Sequence, residues 1–231
     1  MNLTIFDTID STNEYLKNKK DNKDFDTVLA HEQTKGRGSR GRNWLSTEGV
    51  LMFSTVIKED KNISIEEYTK LPLIVGIGLL KALSSIEDLP FMFKWTNDIY
   101  LYDKKLSGIL VEKRNNDFII GIGVNLNIVE FGDLEAISLK KVTNKNYDKI
   151  EILQIIFNKV KEYIYKFYRG EWPLILSEIN EKNYLLNKNI KFISPQREYQ
   201  GIVLGINSHG ELILEENFNI HHLRIGEVST K

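Results

Sequence analysis

The chain has 231 residues, of which 42% are hydrophobic, and 31 basic and 32 acidic side chains give it a formal net charge of -1 at pH 7. These values predict a soluble cytoplasmic protein with one main domain and a small second one, and they disfavour a disordered or collagen-like chain. Cysteine is absent, which excludes disulfides, thiolate nucleophiles and cysteine-bound metals. No signal peptide is recognisable, and we expect no membrane span, because Pro72 and Lys81 interrupt the longest apolar run, 71–83.

Strand-like and helix-like segments alternate along the first 170 residues. The predicted strands are 3–9, 27–32, 50–57, 91–95, a hairpin over 98–113, and 118–126. Helices are predicted over 65–85 and 148–168, and the second has one apolar face at helical spacing, made of Ile152, Ile156, Val160, Ile164 and Phe167. Short β runs with a turn at 207–210 follow from about residue 183. Hairpins beside helices predict an α+β fold with a mixed or antiparallel sheet.

A polar segment, Ser11-Thr12-Asn13-Glu14, separates the first strand from a helical segment. Ser11 and Glu14 have the spacing of a capping box, in which each side chain bonds to the other residue's backbone N–H. Two interpretations stay open. The residues either cap a helix and do nothing else, or they cap it and also line a pocket.

The segment 36–42 contains three of the seven arginines in a chain that otherwise uses lysine. Arginine offers a planar fork to carboxylates and phosphates, and glycine lets the backbone approach them, so the segment predicts an anion clamp. Gly36-x-Gly38-x-x-Gly41 matches the dinucleotide fingerprint, but a β-rich run follows it instead of a helix. A kinase loop would need catalytic motifs that the chain lacks. A solvated basic loop is the remaining alternative.

Three further features of the sequence have ordinary structural explanations. Trp95 follows an apolar strand and is predicted to pack in the core. Gly121 and Gly123 interrupt another strand, which indicates either the close approach of a ligand or a second backbone, or else a bulge. The four histidines are scattered, so neither a metal site nor a catalytic triad is expected from them.

Four ordered motifs resemble the biotin protein ligases. They are Ser-Thr-Asn at 11–13, the segment 32–38 before Trp44, Lys94-Trp95-x-Asn97-Asp98 with Lys105-x-x-Gly108-Ile109-Leu110-Val111-Glu112, and 121–125. The order and spacing match from about residue 8 to 127. The resemblance implies a class II synthetase-like catalytic domain over 1–182 and a small SH3-like β-barrel over 183–231. It also implies a ligase without the N-terminal DNA-binding domain of some relatives, so no DNA partner is expected.

The resemblance implies a two-step reaction. Biotin and ATP, with Mg²⁺, form biotinyl-5'-AMP, and a lysine of the biotin carboxyl carrier domain of a carboxylase then accepts the biotin. A homodimer is compatible with it, and no membrane partner is expected. Two alternatives remain: a lipoate-protein ligase of the same superfamily, and a nucleic-acid-binding module that would place Arg37, Arg40 and Arg42 on phosphates.

The resemblance also implies the roles of individual residues. The biotin-binding set is Ser11, Thr12, Asn13, Gln33, Arg37, Gly38, Ser39, Lys105 and Gly108. The ATP-binding set is Arg40, Arg42, Trp44, Lys94, Asn97 and Asn125, with Trp44 covering the adenine or the intermediate. Arg37, Lys105 and Asp98 would also be catalytic, and Asp98 would either hold Mg²⁺ or orient the acceptor lysine. Ser39 departs from a common family pattern that has arginine there.

Overall fold

The main sheet of the computed structural model, which describes residues 1–229, has seven strands. They are β1 (Asn2–Ile9), β2 (Asp26–Gln33), β3 (Val50–Lys58), β4 (Met92–Lys94), β5 (Asp98–Leu101), β6 (Lys104–Arg114) and β7 (Asp117–Asn125). Their order is β1-β2-β3-β7-β6-β5-β4. The pair β1–β2 is parallel and the others are antiparallel. The predicted α+β fold with a mixed sheet is confirmed.

The described part of the chain also has five α-helices: α1 (Thr12–Asn18), α2 (Leu71–Ile86), α3 (Leu139–Thr143), α4 (Lys149–Tyr168) and α5 (Trp172–Glu181). The predicted apolar face of α4 is buried along its whole length, which confirms it as core. Each such side chain contributes about 1.5 to 3 kcal/mol on burial. Gly78 of α2 lets α4 approach, because a Cβ there would lie 3.0 Å from the Val160 Cα.

The predicted helix at 65–85 is two elements. A 3-10 turn, Ile65–Lys70, precedes α2, and Pro72 lies in the first turn of α2, where its missing N–H interrupts no helical bond. The apolar stretch is longer than the predicted run 71–83, because Ile65–Ile86 is long and apolar enough to cross a membrane by length and composition alone. However, 67% of its apolar stretch is buried inside the protein, as in a core helix.

A second, antiparallel sheet follows the helices. Its strands are β8 (Asn189–Ile193), β9 (Glu198–Ile206), β10 (Leu212–Glu216), β11 (Asn219–Leu223) and β12 (Glu227–Ser229), in the order β11-β10-β9-β8-β12. The predicted turn at 207–210 joins β9 to β10 and is confirmed. Residues 230 and 231, the last two of the predicted 183–231 domain, lie outside the described residues.

The C-terminal sheet shares the apolar core of the main sheet. Its contribution comes from Ile190, Phe192, Val203, Ile206, Leu212, Leu214 and Leu223. Two indoles also hold the 207–210 turn: Trp95 Nε1 donates to the Gly210 carbonyl at 3.0 Å, and Trp172 Nε1 donates to the Ser208 carbonyl at 2.7 Å. We call this pair of bonds the indole clasp. Trp95 is 4% exposed, which agrees with its predicted core position.

Candidate active site

One cavity lies between α1, the central strands of the main sheet and the segment 36–42. We call it the inner pocket; its empty space, including the part open to solvent, is about 480 Å³. Every residue of the predicted biotin-binding set lines it: Ser11, Thr12, Asn13, Gln33, Arg37, Gly38, Ser39, Lys105 and Gly108. Residues far apart in sequence are therefore brought to one concave surface.

The N-cap residue Ser11 and the first two residues of α1, Thr12 and Asn13, line the inner pocket, so the second of the two interpretations applies to them. Ser11 Oγ accepts from the Glu14 N–H at 3.5 Å. The reciprocal half of the capping box is missing, because the Glu14 carboxylate turns instead to Lys17 and Arg37 at 2.8 and 2.7 Å. The helix start thus places Ser11 at the pocket and leaves Glu14 to hold cations.

The buried end of the inner pocket is polar. The Thr12 backbone N–H and hydroxyl both contact Gln33 Oε1, at 2.7 and 3.0 Å. The Ser54 hydroxyl donates to Asn13 Oδ1 at 2.5 Å and lies 2.7 Å from the Thr12 hydroxyl. Sequence reasoning missed Ser54, although a Ser-Thr pair inside the apolar strand β3 was a usable signal, since buried hydroxyls need partners.

Glu112 belonged to a sequence motif but had been assigned no role. Its Oε2 accepts a hydrogen bond from Asn13 Nδ2 at 2.8 Å. Burial opposes ionisation, but hydrogen bonds from Asn13 and Lys17 and the charges of Lys17 and Arg37 hold the pKa of Glu112 below its usual value. Asn13 is therefore fixed from both sides, with Ser54 at its carbonyl and a carboxylate at its amide nitrogen.

The segment 36–42, which we call the arginine loop, is ordered by its own backbone. Gly38 N–H bonds to the Arg42 carbonyl at 2.7 Å, and Trp44 N–H bonds to the Gly36 carbonyl at 3.0 Å. A Cβ on Gly36 would lie 1.9 Å from Ser46 Oγ, so a side chain there would displace the loop. Arg40 and Gly41 have positive φ angles of 59° and 74°, which reverse the chain direction.

The three arginines of this loop point in different directions. Arg37 Nη1 lies 2.7 Å from Glu14 Oε1. Arg40 donates to the Gly226 carbonyl and lies 3.3 Å from Glu227, in the C-terminal sheet, and Arg42 lies 4.0 Å from the same carboxylate. Arg40 is therefore held at the C-terminal sheet, whereas Ser39 lines the inner pocket.

Trp44 lies against bare backbone. Gly108 and Gly123 are cross-strand partners on β6 and β7, and a Cβ on either would lie 2.9 or 2.4 Å from the indole. A Cβ on Gly121 would lie 2.4 Å from Asn13 Oδ1. The pairing of β3 with β7 is continuous, so the bulge interpretation was wrong. The missing side chains of these glycines leave room for the side chains of Trp44 and Asn13. Neither sequence interpretation had included contact with a side chain of the protein itself.

Strands β4 and β6 carry two cations to the site, Lys94 and Lys105. Lys105 Nζ lies 2.7 Å from Asp98 Oδ1 and 5.4 Å from the centre of a Trp44 ring. Lys94 Nζ bonds to the Tyr100 hydroxyl at 3.0 Å. Burial lowers the pKa of Lys94 and raises the pKa of Tyr100 to about 12. The Lys94 ammonium thus resides where water is scarce, which strengthens its attraction to an anion.

The predicted ATP-binding set is divided between two cavities next to the inner pocket. The first, which we call the polar pocket, is lined by Arg40, Arg42, Lys94, Asn97, Asp98 and Lys105. The second, which we call the side pocket, is lined by Arg42, Trp44, Lys105, Asn125, Phe131 and Leu134, among others. Lys105 lines all three cavities. Sequence reasoning missed the segment 131–136 of the side pocket.

Two predicted asparagines also have structural partners. Asn97 Nδ2 donates to the Ile109 carbonyl at 2.9 Å and lies 3.4 Å from Ser39 Oγ, while Asn125 Nδ2 lies 3.4 Å from the Lys105 carbonyl. Within residues 1–229, no cluster of three or more histidine, cysteine or acidic side chains could hold a metal. A single carboxylate such as Asp98 is compatible with Mg²⁺, because this ion is usually bound by one or two carboxylates, and water molecules and substrate phosphates supply its other ligands.

Comparison with known proteins places this chain in the class of protein ligases. More particularly, the chain belongs to the biotin/lipoate A/B protein ligase family, whose sequence model matches residues 5–128. The model of the biotin protein ligase C-terminal domain matches residues 185–230. The assignment covers both the main sheet and the C-terminal sheet.

Individual relatives agree with this assignment. The bifunctional ligase/repressor BirA of Escherichia coli is 28% identical over 242 residues, which span 99% of this chain and 74% of that protein. A biotin--[acetyl-CoA-carboxylase] ligase of Mycobacterium tuberculosis is 25% identical, over 81% of this chain and 72% of that protein. A solved biotin protein ligase from Aquifex aeolicus, in complex with biotin and ATP, is 32% identical with a TM-score of 0.90, over 99% of this chain and 97% of that one.

Proposed function

We propose that the protein activates biotin with ATP to form biotinyl-5'-AMP and transfers the biotin to a lysine of a biotin carboxyl carrier protein. One observation carries the proposal: a single pocket has a hydrogen-bonding end at Thr12 and Gln33 and two cations, Arg37 and Lys105, elsewhere on its wall. This is the polarity that a ligand with a urea ring, an apolar chain and a carboxylate would require. The names of the relatives support the same reaction.

The pocket geometry suggests how the first step proceeds. The carboxylate of biotin attacks the α-phosphorus of ATP, and the bond to pyrophosphate breaks. Both reactants are anions, so fixed cations must hold them together and stabilise the charge on the departing pyrophosphate. Arg37 and Lys105 would serve the carboxylate and the α-phosphate, while Lys94, Arg40 and Arg42 in the polar pocket would serve the other phosphates.

Trp44 and the side pocket are the proposed site for the nucleoside. Trp44 Nε1 is a buried N–H without a hydrogen-bond partner among residues 1–229, and Trp44 lines both the inner pocket and the side pocket. Stacking on an indole suits any flat base, and the N–H gives a ligand one directed bond. Mg²⁺ would neutralise phosphate charge. Asp98 would either be a ligand of this ion or orient the acceptor lysine.

In the second step the lysine amine attacks the acyl carbon of the adenylate and AMP leaves. We propose residues 1–182 as the catalytic domain and 183–231 as the C-terminal domain, supported by family matches that end at 128 and begin at 185. The contacts of Arg40 with Gly226 and Glu227 support a role for the C-terminal domain at the phosphate side. The acceptor would be a carboxylase carrier domain in the cytoplasm.

The exchange of labelled pyrophosphate into ATP tests this proposal, because the first half-reaction needs no carrier. We expect exchange that depends on biotin and on Mg²⁺, followed by labelling of one lysine when a carrier domain is added. Lipoate in place of biotin distinguishes the two activities of the family. Exchange that is equal with and without biotin would contradict the proposal.

A further inference from the structure

A row of charged and polar side chains connects two parts of the inner pocket. Arg37 Nη1 lies 2.7 Å from Glu14 Oε1, which lies 2.8 Å from Lys17 Nζ. Lys17 Nζ in turn lies 2.9 Å from Glu112 Oε1, and Glu112 Oε2 accepts from Asn13 at 2.8 Å. We call these five residues the ion chain. Its two ends, Arg37 and Asn13, line the inner pocket.

We propose that Glu14, supported by Lys17 and Glu112, is a positioning residue that orients Arg37 toward the carboxylate of the bound substrate. The inference rests on the proposed function and extends it to residues that do not contact the ligand. Arg37 belongs to a loop with glycine on both sides, and its side chain is 51% exposed, so its guanidinium needs an anchor to have one orientation. Glu14 supplies that anchor from the rigid start of α1.

The anchor leaves Arg37 able to bind a ligand. A guanidinium has five N–H donors in a planar fork, and Glu14 contacts it at Nη1. Holding one nitrogen restricts the orientations of the guanidinium and leaves its other donors free to bind a carboxylate. A preorganised cation loses less conformational freedom on binding than a mobile one, which favours affinity.

Lys17 compensates the negative charge that Glu14 places beside Arg37. A carboxylate beside Arg37 weakens the attraction of that arginine for a second carboxylate. Within the ion chain, however, Glu14 and Glu112 are balanced by Lys17 and Arg37, and Glu14 is shared between two cations. Hydrogen bonds with Glu14 and Glu112 raise the pKa of Lys17, so it is charged at neutral pH. Without Lys17, the two carboxylates of the ion chain would be balanced by Arg37 alone.

The test compares biotin with biotinol, in which an alcohol replaces the carboxylate, by calorimetric binding without ATP. Glu14→Gln should weaken biotin binding about two- to five-fold, and Lys17→Met more, while biotinol binding changes by less than about 1.5-fold. Glu14→Gln should add little in an Arg37→Ala background, because its effect passes through Arg37. Glu162→Gln is the matched control, since Glu162 also lies between two lysines, Lys159 at 2.7 Å and Lys166 at 3.1 Å, but on α4.

Three results would overturn the inference: equal weakening of biotin and biotinol by Glu14→Gln, tighter or unchanged biotin binding, or an undiminished effect in Arg37→Ala. Lipoate and lipoamide are measured in parallel. If the wild-type protein binds lipoate and not biotin, the proposed substrate is wrong, and the ratio of lipoate to lipoamide binding then tests the ion chain in the same way. Binding of neither acid would refute both proposals.

Discussion

Gly123→Ala should displace Trp44 without unfolding the protein. The new Cβ would lie 2.4 Å from the indole Cε2 and 2.5 Å from its Nε1, whereas ordinary contact begins at 3.4 Å, so the ring must move by about 1 Å. Trp44 follows the arginine loop and is half-buried, which allows it to move outward. A misplacement of about 1 Å in a positioning group can cost about 10²-fold in rate, so we expect kcat/KM for ATP to fall by about 10- to 100-fold.

Gly76→Ala provides the comparison for this variant. Its Cβ would lie 2.3 Å from the Phe93 ring, which is fully buried and cannot move aside, so about 1 to 3 kcal/mol of stability should be lost. Pyrophosphate exchange at varied ATP and urea unfolding should be measured for both variants. The assignment of Trp44 to the nucleotide is refuted if Gly123→Ala leaves the ATP dependence unchanged, or if it loses as much stability as Gly76→Ala.

The remaining predictions concern charged and phosphate-facing positions. Arg37→Ala or Lys105→Ala should each lower the rate of adenylation by about 10²-fold. Arg114→Ala is the control and should not lower it, because Arg114 is exposed at the far end of β6. Normal pyrophosphate exchange in Arg37→Ala would contradict the assignment of Arg37. Ser39→Arg should slow the dissociation of preformed biotinyl-5'-AMP by about 10-fold or more, because the new arginine adds a charge-assisted hydrogen bond to the phosphate. An unchanged dissociation rate in a folded variant would mean that the phosphate already has all its hydrogen-bond donors. Lys94→Met should impair exchange yet raise the free energy of unfolding at pH 7. Because burial places the folded pKa of Lys94 below its unfolded value, the charged form destabilises the fold at neutral pH, and this gain should disappear as pH rises through 10.5; urea unfolding at both pH values measures it.

Most of the main sheet could be predicted from the sequence because its strands are strongly apolar and separated by turn residues. The bounds of β3 and α4 were right to within a residue. The start of α2 was not, since Ile65–Lys70 has helical composition and only the geometry at Pro72 decides that it forms a separate turn. Periodicity detects which face is buried, but it does not detect where one helical geometry replaces another.

The site was less predictable than the fold. Motif residues such as Thr12 and Gln33 could be assigned to one pocket by resemblance, and the structure places them there. The partners of these residues, Ser54 and Glu112, depend on strand register, which local sequence does not define. The direction of Arg40 depends on a backbone carbonyl 186 positions away, at Gly226, and no local signal specifies such a contact.

The indole clasp limits where the protein can be cut or extended. An insertion into the 207–210 turn would break two indole N–H bonds at once and uncover Trp95, three residues before Asp98. By contrast, Phe218, in the turn between β10 and β11, is 96% exposed and offers a tolerant position for a tag, a fluorophore or new chain termini. Since the chain has no cysteine, a single cysteine introduced at that turn would be a unique attachment point, away from both clasped indoles.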